Sequence, residues 1–323
     1  RTTHLDAATG TYLNKNHFAG LLEMAVPATM GLLLALMTKE ASSRTLSRRV
    51  AEAASSRRGV FLLYLGVAVA LMGSAVCFSF SRAGILGLFC AITAFALCLG
   101  ASAGFRRYTL VLMFLVLVIF LMGVWIGADV LVTRVEAAVS GRTASLTDRF
   151  DILRSGLRMI SGTPWLGSGL GSSRYVFERF QSGRFGDRIV DYLHCDWLQL
   201  FCEAGLIGGI AVAAGLAAVV IVILRRAIRR RDSFHRWTAV GAWAGALALL
   251  VHSFFDYNLS KITSNAFIFA VLLGVAYAAS AMPSGSSGSP EMRRYLVIPL
   301  RPRLLRIVLS VVVVGAAGAA CFH

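Results

Sequence analysis

An all-α fold, a polytopic bundle of transmembrane helices, is what this sequence predicts, and three observations carry the prediction. Hydrophobic residues make up 57% of the 323, the mean hydropathy is +0.71, and the apolar residues run on without a break where a soluble helix would show only a stripe. An ordinary soluble domain is excluded. A bilayer core takes about 20 apolar residues per helix. Eight segments meet or approach that length: Phe18 to Met37, Val60 to Phe80, Ala83 to Leu99, Tyr108 to Ala128, Leu198 to Leu224, Trp237 to Phe254, Ala266 to Ala279 and Leu304 to Phe322. Lipid offers no hydrogen bonds to the backbone, so each span must satisfy its own, which a helix does.

The net charge of +16 would suit a nucleic-acid partner if the cations lined one face. They sit at helix ends instead, so no nucleic acid is expected. Lys39 to Arg58, Arg106 and Arg107, Arg225 to Arg236, and Arg293 to Arg306 fall in alternate connections and hold nineteen of the 32 Lys and Arg. The short intervening turns carry little beyond Arg82 and Lys261. The basic connections are therefore assigned to the cytoplasm. The long segment Asp129 to Asp191 is assigned outside, since long loops cross regardless of charge. The sequence opens on Arg1 without Met and is read as truncated at its N-terminus, which makes the helix count a lower bound. Cys77, Cys90, Cys98, Cys202 and Cys321 lie in apolar spans and read as small buried hydrophobes. Cys195 has no spaced partner that would suggest a disulfide or a zinc site.

This orientation gathers the unusual polar residues on the outer face. Tyr12, Asn14, Asn16 and His17 precede the first span, Arg82 follows the second, His194 and Asp196 open the fifth, and His252 and Asp256 close the sixth. Span interiors are nearly free of charge. Within the outer loop, Asp148 to Ile160 reads as a helix with Thr147 as N-cap and Gly162 and Pro164 as stops. Phe150, Leu153, Leu157 and Ile160 share one face and Arg154 and Arg158 another, which suits a helix lying in the headgroup layer with its apolar side down. Pro164 to Gly171 follows as a glycine-rich turn able to approach other elements closely, and is weak evidence for phosphate binding. Ser284 to Pro290 reads as a flexible linker, and no internal repeat of the transporter kind is visible.

Arg82 lies between two apolar helices, where a fixed guanidinium meets either a phosphate ligand or a carboxylate, or snorkels as an anchor. It stands on the side with few cations, which favours function. His194, at the junction of loop and span, is either an interfacial hydrogen-bonding group or a general base. The loop arginines Arg142, Arg149, Arg154, Arg158, Arg174, Arg179, Arg184 and Arg188 are solvated or bound to headgroups, with one or two available for catalysis. Asp256 can orient an imidazole, pair with an arginine or simply end a helix. Glu203 is costly within a span, and an outer-face arginine is its simplest partner.

Together these stretches resemble the O-antigen ligase and polymerase family of bacterial membrane glycosyltransferases. The matching segments are Gly10 to Ala19, Ser81-Arg82-Ala83-Gly84, the Arg149 helix leading into Pro164 to Gly171, His194 to Gly208 and His252 to Leu259, in that order. The resemblance implies a GT-C-like bundle with a large periplasmic loop carrying short amphipathic helices. The membrane domain would span 1–280 with its loop at 129–191, followed by a cytoplasmic linker at 281–303 and a further helix at 304–323. It also implies an undecaprenyl-pyrophosphate-linked glycan donor, no cofactor and no metal, and an inverting transfer at the periplasmic side of the inner membrane. His194 would be the catalytic base, Arg82, Arg149 and Arg174 would hold pyrophosphate, and Asp256, His252, Asn14 and Asn16 would support them. Lipid A core, a growing glycan or a protein are the acceptors left open. A transporter of the intact donor and a structural subunit of a secretion assembly are the rivals from other classes.

Overall fold

The computed structural model describes residues 7–38, 57–100, 145–181 and 192–282. Among these residues all regular structure is helical and no strand occurs. The long helices are α1 (Lys15–Thr38), α2 (Arg57–Phe78), α3 (Arg82–Gly100), α4 (Ser145–Gly162), α6 (Asp196–Arg229), α7 (Ser233–His252) and α8 (Thr263–Ala281), with the short α5 (Ser173–Val176) and a 3₁₀ turn (Phe177–Arg179) between α4 and α6. Five of them, α1, α2, α3, α6 and α8, are long and apolar enough to cross a membrane. The protein is a multi-pass membrane protein. The expected spans Tyr108 to Ala128 and Leu304 to Phe322 lie outside the described residues, as does the linker.

The described chain forms two compact units. Residues 7–38, 57–100, 222–252 and 258–282 make the first. At its centre is α7, which packs against α1, α3 and α8, while α1 also packs against α2 and α3. Small residues permit this. A Cβ on Gly241 would lie 2.6 Å from the Cα of Gly31, and one on Gly245 would lie 2.4 Å from the Met24 carbonyl oxygen, so α1 and α7 touch backbone to backbone. α7 was expected to be a span ending at Phe254. It ends instead at His252, and its glycines, tryptophans, Arg236 and terminal histidines leave it outside the set of five. Enclosure by its neighbours makes up for its lower apolarity: Trp237, Val240, Ala244, Ala248 and Leu249 are buried. In α2 and α8 the pattern is reversed, with Phe61, Leu63, Tyr64, Leu71, Phe267 and Val271 exposed, as lipid-facing positions require.

Residues 145–181, 192–221 and 253–257 make the second unit. Its core is Ile152, Met159, Phe177, Leu193, Leu198 and Cys202, which presses α4 onto the opening turns of α6. A Cβ on Gly156 would meet the Leu198 side chain at 2.6 Å. α4 begins at Ser145, three residues before the expected start, so Thr147 is inside the helix and is not its cap. The buried stripe is Ile152, Ser155, Gly156 and Met159, and Phe150, Leu153 and Leu157 are exposed.

Candidate functional site

The second unit brings His194 and Asp256 together. His194 stands two residues before α6, with φ at 51°, a left-handed conformation that a residue with a side chain adopts rarely and at a cost. Its Nδ1 is buried without a hydrogen-bond partner among the described residues and lies 3.7 Å from Oδ1 of Asp256, while the side chain is 35% exposed against 1% for Asp256. The Asp256 carboxylate also accepts the Tyr257 N–H at 2.9 Å. Tyr257 in turn is flanked by two rings: Tyr192 stacks on it at 5.2 Å and the His194 imidazole leans on it at 4.8 Å. The Asp196 N–H donates to the Ser253 carbonyl at 2.9 Å, and Trp197 lies 5.5 Å from Phe254, which fixes the start of α6 against 253–257. Burial pushes the thiol pKa of Cys195, beside the histidine, above its usual value, which favours the neutral thiol over the thiolate.

More than two turns into α6, the helix is interrupted. Gly205 has φ 68° and ψ −174°, a break in an otherwise continuous helix. The glycine-rich turn is seated at that break. Ser168 and Gly169 donate their N–H groups to the carbonyls of Cys202 and Glu203 at 3.0 and 2.9 Å, and Leu206 donates back to the Pro164 carbonyl at 2.7 Å. The Glu203 carboxylate accepts the Gly171 N–H at 2.9 Å and the Gln199 amide at 3.1 Å. Where an arginine was expected as its partner, the described residues supply a backbone amide and a glutamine one turn away. The turn that hinted at phosphate binding directs the amides of Ser168, Gly169 and Gly171 to α6.

Residues 67–213 match the family model described as O-antigen ligase. The match supports the O-antigen ligase and polymerase family of membrane glycosyltransferases, which the ordered motifs resemble. No curated protein and no solved structure matches the chain. The O-antigen ligase match takes in Arg82, Arg149, Arg174 and His194, together with the Gly205 break and its glycine-rich partner. Asn14, Asn16, His252 and Asp256 lie beyond it.

Arg82 is in the first unit, as the opening residue of α3. Ser81 caps that helix by accepting the Gly84 N–H at 3.2 Å, and Phe80 before it has φ 52°. The Arg82 side chain is exposed, and Lys15, the first residue of α1, lies within range of its charge. Two cations thus stand at the N-termini of two helices. Lys15 was not singled out in the sequence, since a lysine before a span reads as an anchor.

Asn14 and His252 have structural partners. Asn14 caps α1 by accepting the Asn16 N–H at 2.9 Å, and its amide lies 3.4 Å from His17 Nε2. His17 Nδ1 is 3.2 Å from Asn258 Oδ1, which also accepts the Asn265 amide at 2.9 Å, while Tyr12 donates to Asn265 at 2.9 Å. This network ties the start of α1 to the approach to α8. His252 Nδ1 is 2.9 Å from Glu23 Oε1, with both side chains wholly buried. Glu23 escaped the sequence reading, which took span interiors as nearly uncharged; Gly84 and Gly87 of α3 leave it room. Arg149 lies in α4, and Arg174 is exposed with its guanidinium 5.9 Å from the Tyr175 ring centroid. Among the described residues no three of His, Cys, Asp and Glu gather to hold a metal ion.

Proposed function

We propose that this protein transfers a glycan from undecaprenyl pyrophosphate to an acceptor hydroxyl at the periplasmic face of the inner membrane, with His194 as general base. The observation that carries this reading is the His194–Asp256 pair: a buried Nδ1 facing a buried carboxylate on a ring that is 35% exposed. A proton held on Nδ1 toward Asp256 leaves the lone pair on Nε2, and the carboxylate stabilises the imidazolium that forms. The acceptor oxygen attacks the anomeric carbon as its proton passes to Nε2. The bond from that carbon to the pyrophosphate oxygen breaks on the opposite side, so the anomeric configuration inverts and undecaprenyl pyrophosphate leaves. Arg82, Arg149 and Arg174 are assigned to the pyrophosphate, whose charge grows as it departs. The cationic start of α3, with Lys15 in range, supports that role for Arg82. Lipid A core, a growing glycan and a protein hydroxyl all satisfy the same chemistry as acceptors.

A second reading, movement of the intact donor across the membrane, has one observation in its favour. Glu23 and His252 form an ionisable pair inside the helices, of the sort that marks substrate paths. Both side chains are 0% exposed, however, and Glu23 is packed against Gly84 and Gly87, which closes the pair to a glycan. The deciding experiment gives the purified protein lipid-linked oligosaccharide and an acceptor. Release of undecaprenyl pyrophosphate, reduced at least ~100-fold in His194→Ala, is the expected result. Intact donor crossing vesicles without release would replace transfer by transport.

A further inference from the structure

A membrane needs less helix than α6 supplies. Its 34 residues make about 51 Å, against a hydrocarbon core of about 30 Å, so only part of it lies in lipid. The break at Gly205 divides it into two stretches of different chemistry. The stretch before the break carries Asp196, Gln199 and Glu203, all buried, whereas residues 206–224 hold only Leu, Ile, Val, Ala and Gly and end at Arg225 and Arg226. That run makes about 28 Å of helix and matches the core by itself. The hydrocarbon therefore begins at the break, and Ile207 and Ile210 just past it are exposed, as lipid-facing side chains are.

The turn at 164–171 is bound at the same level. The Leu206 N–H donates to the Pro164 carbonyl and the Ile207 N–H to the Trp165 carbonyl at 3.3 Å, while the carbonyls of Cys202 and Glu203 accept from the turn. Backbone groups that the break takes out of the helix are thus paired with the turn, which matters at a depth where little water reaches them. With its backbone given to α6, the turn leaves large apolar side chains uncovered: Trp165, Leu166 and Leu170 are each at least 65% exposed. No Asp, Glu, Lys or Arg occurs from Met159 to Ser173, and the exposed Arg158 and Arg174 flank that stretch. A loop tip in water carries polar residues, whereas an indole beside leucines, with arginines at the margin, is the composition of a segment lying at lipid headgroups.

We propose that the turn at 164–171 is a lipid-binding surface that dips into the rim of the bilayer, with Trp165, Leu166 and Leu170 against the glycerol and upper acyl chains of phospholipid. Lipid is the occupant because the patch continues a surface that faces it already: the turn's carbonyls bond the first two residues of the apolar run, and Ile207, one of the two, is itself exposed. Bound to lipid and to the break alike, the turn fixes the depth at which α6 enters the bilayer. The proposal uses none of the chemistry assigned to His194 and stands separately from it.

The test puts a nitroxide on the full chain, its native thiols replaced, at Leu166→Cys or Leu170→Cys, in vesicles of phosphatidylcholine and phosphatidylglycerol. Collisions with oxygen, which concentrates in hydrocarbon, are compared with collisions with a water-soluble nickel chelate, and an Ile210→Cys label serves as the lipid-facing reference. Both turn labels are expected about 5–10 Å below the phosphates. Nickel contact as frequent as in bulk water would put the turn in solvent and overturn the proposal. Contact with neither relaxant would mean that protein, another stretch of the chain or a second copy, covers the turn, and overturns it as well. Should the labelled variants fail to fold, the difference in tryptophan fluorescence between the wild type and Trp165→Phe decides. Quenching of that difference by phospholipid brominated on its upper acyl chain supports lipid contact, and its absence, with or without quenching by aqueous iodide, sinks it.

Discussion

His194 holds a left-handed backbone conformation that costs about 1–3 kcal/mol, and the base role proposed for it requires its ring to be kept at a set angle to Asp256. Tyr257 does the holding. Its ring fills the space between Tyr192 and the imidazole, so truncation would let the imidazole rotate away from the carboxylate. Tyr257→Ala is expected to lower kcat about tenfold with little change in KM, whereas Tyr257→Phe, which keeps the ring, stays near wild type. Steady-state kinetics on lipid-linked substrate separates these; an equal loss in both variants would assign the effect to the hydroxyl instead. His194 was visible in the sequence because an imidazole at the mouth of a span is unusual. Its pairing with Asp256 was not, because the two are far apart in the chain and Asp256 had three equivalent readings. Tyr257 was invisible, since an aromatic residue beside a span ordinarily reads as an interface anchor.

At the level of elements, the helix-breaking Gly205 and the turn from Pro164 to Gly171 form a lock that places the start of α6. A Cβ on Gly205 would lie 2.4 Å from both the Gly167 N and the Trp165 carbonyl oxygen, and a Cβ on Gly167 would lie 2.3 Å from the Glu203 carbonyl oxygen. Both glycines also have positive φ. Gly205→Ala is therefore expected to destabilise by about 3 kcal/mol, combining a left-handed penalty with a backbone clash. Glu203→Gln keeps an acceptor oxygen for Gly171 and should lose only about 1 kcal/mol. Thermal unfolding of the purified variants ranks them, and a Gly205→Ala protein as stable as wild type would mean that the lock is not tight. The glycines were legible as places of close approach, but the sequence could not say what approached. Glu203 was read as needing a charged partner because neither a backbone amide nor a glutamine a turn away announces itself as a counterpart. Among the described residues the helices themselves were legible almost throughout, since long apolar runs allow few alternatives in lipid; α7 departed most, because a helix enclosed by helices can carry glycine and tryptophan where a lipid-facing one would carry leucine.

For the whole molecule the proposal depends on membrane sidedness. Arg82 begins α3 and His194 closely precedes α6, so both belong to the starts of helices that can cross the bilayer. Two helices that start from the same face must be joined by a chain that returns across the membrane. The sequence provides one candidate for that return, the apolar run Tyr108 to Ala128, which lies outside the described residues. The charge distribution points the same way, since Arg106 and Arg107 sit between α3 and that run, and the arginine-rich end of α6 lies opposite its start. Single cysteines placed at Ser79 and Tyr192, near the two residues to which roles are proposed, in a background with the native thiols replaced, are expected to react with a membrane-impermeant maleimide in intact cells. Cysteines at Arg225 and Arg231 should react only after the membrane is opened. Since Ser79 is buried, Phe80 serves as a second and exposed position for the same reading. If the labels near Arg82 and His194 react from opposite sides, no single pyrophosphate reaches both, and the arginine would have to act as a cytoplasmic anchor while the histidine worked with the loop arginines alone.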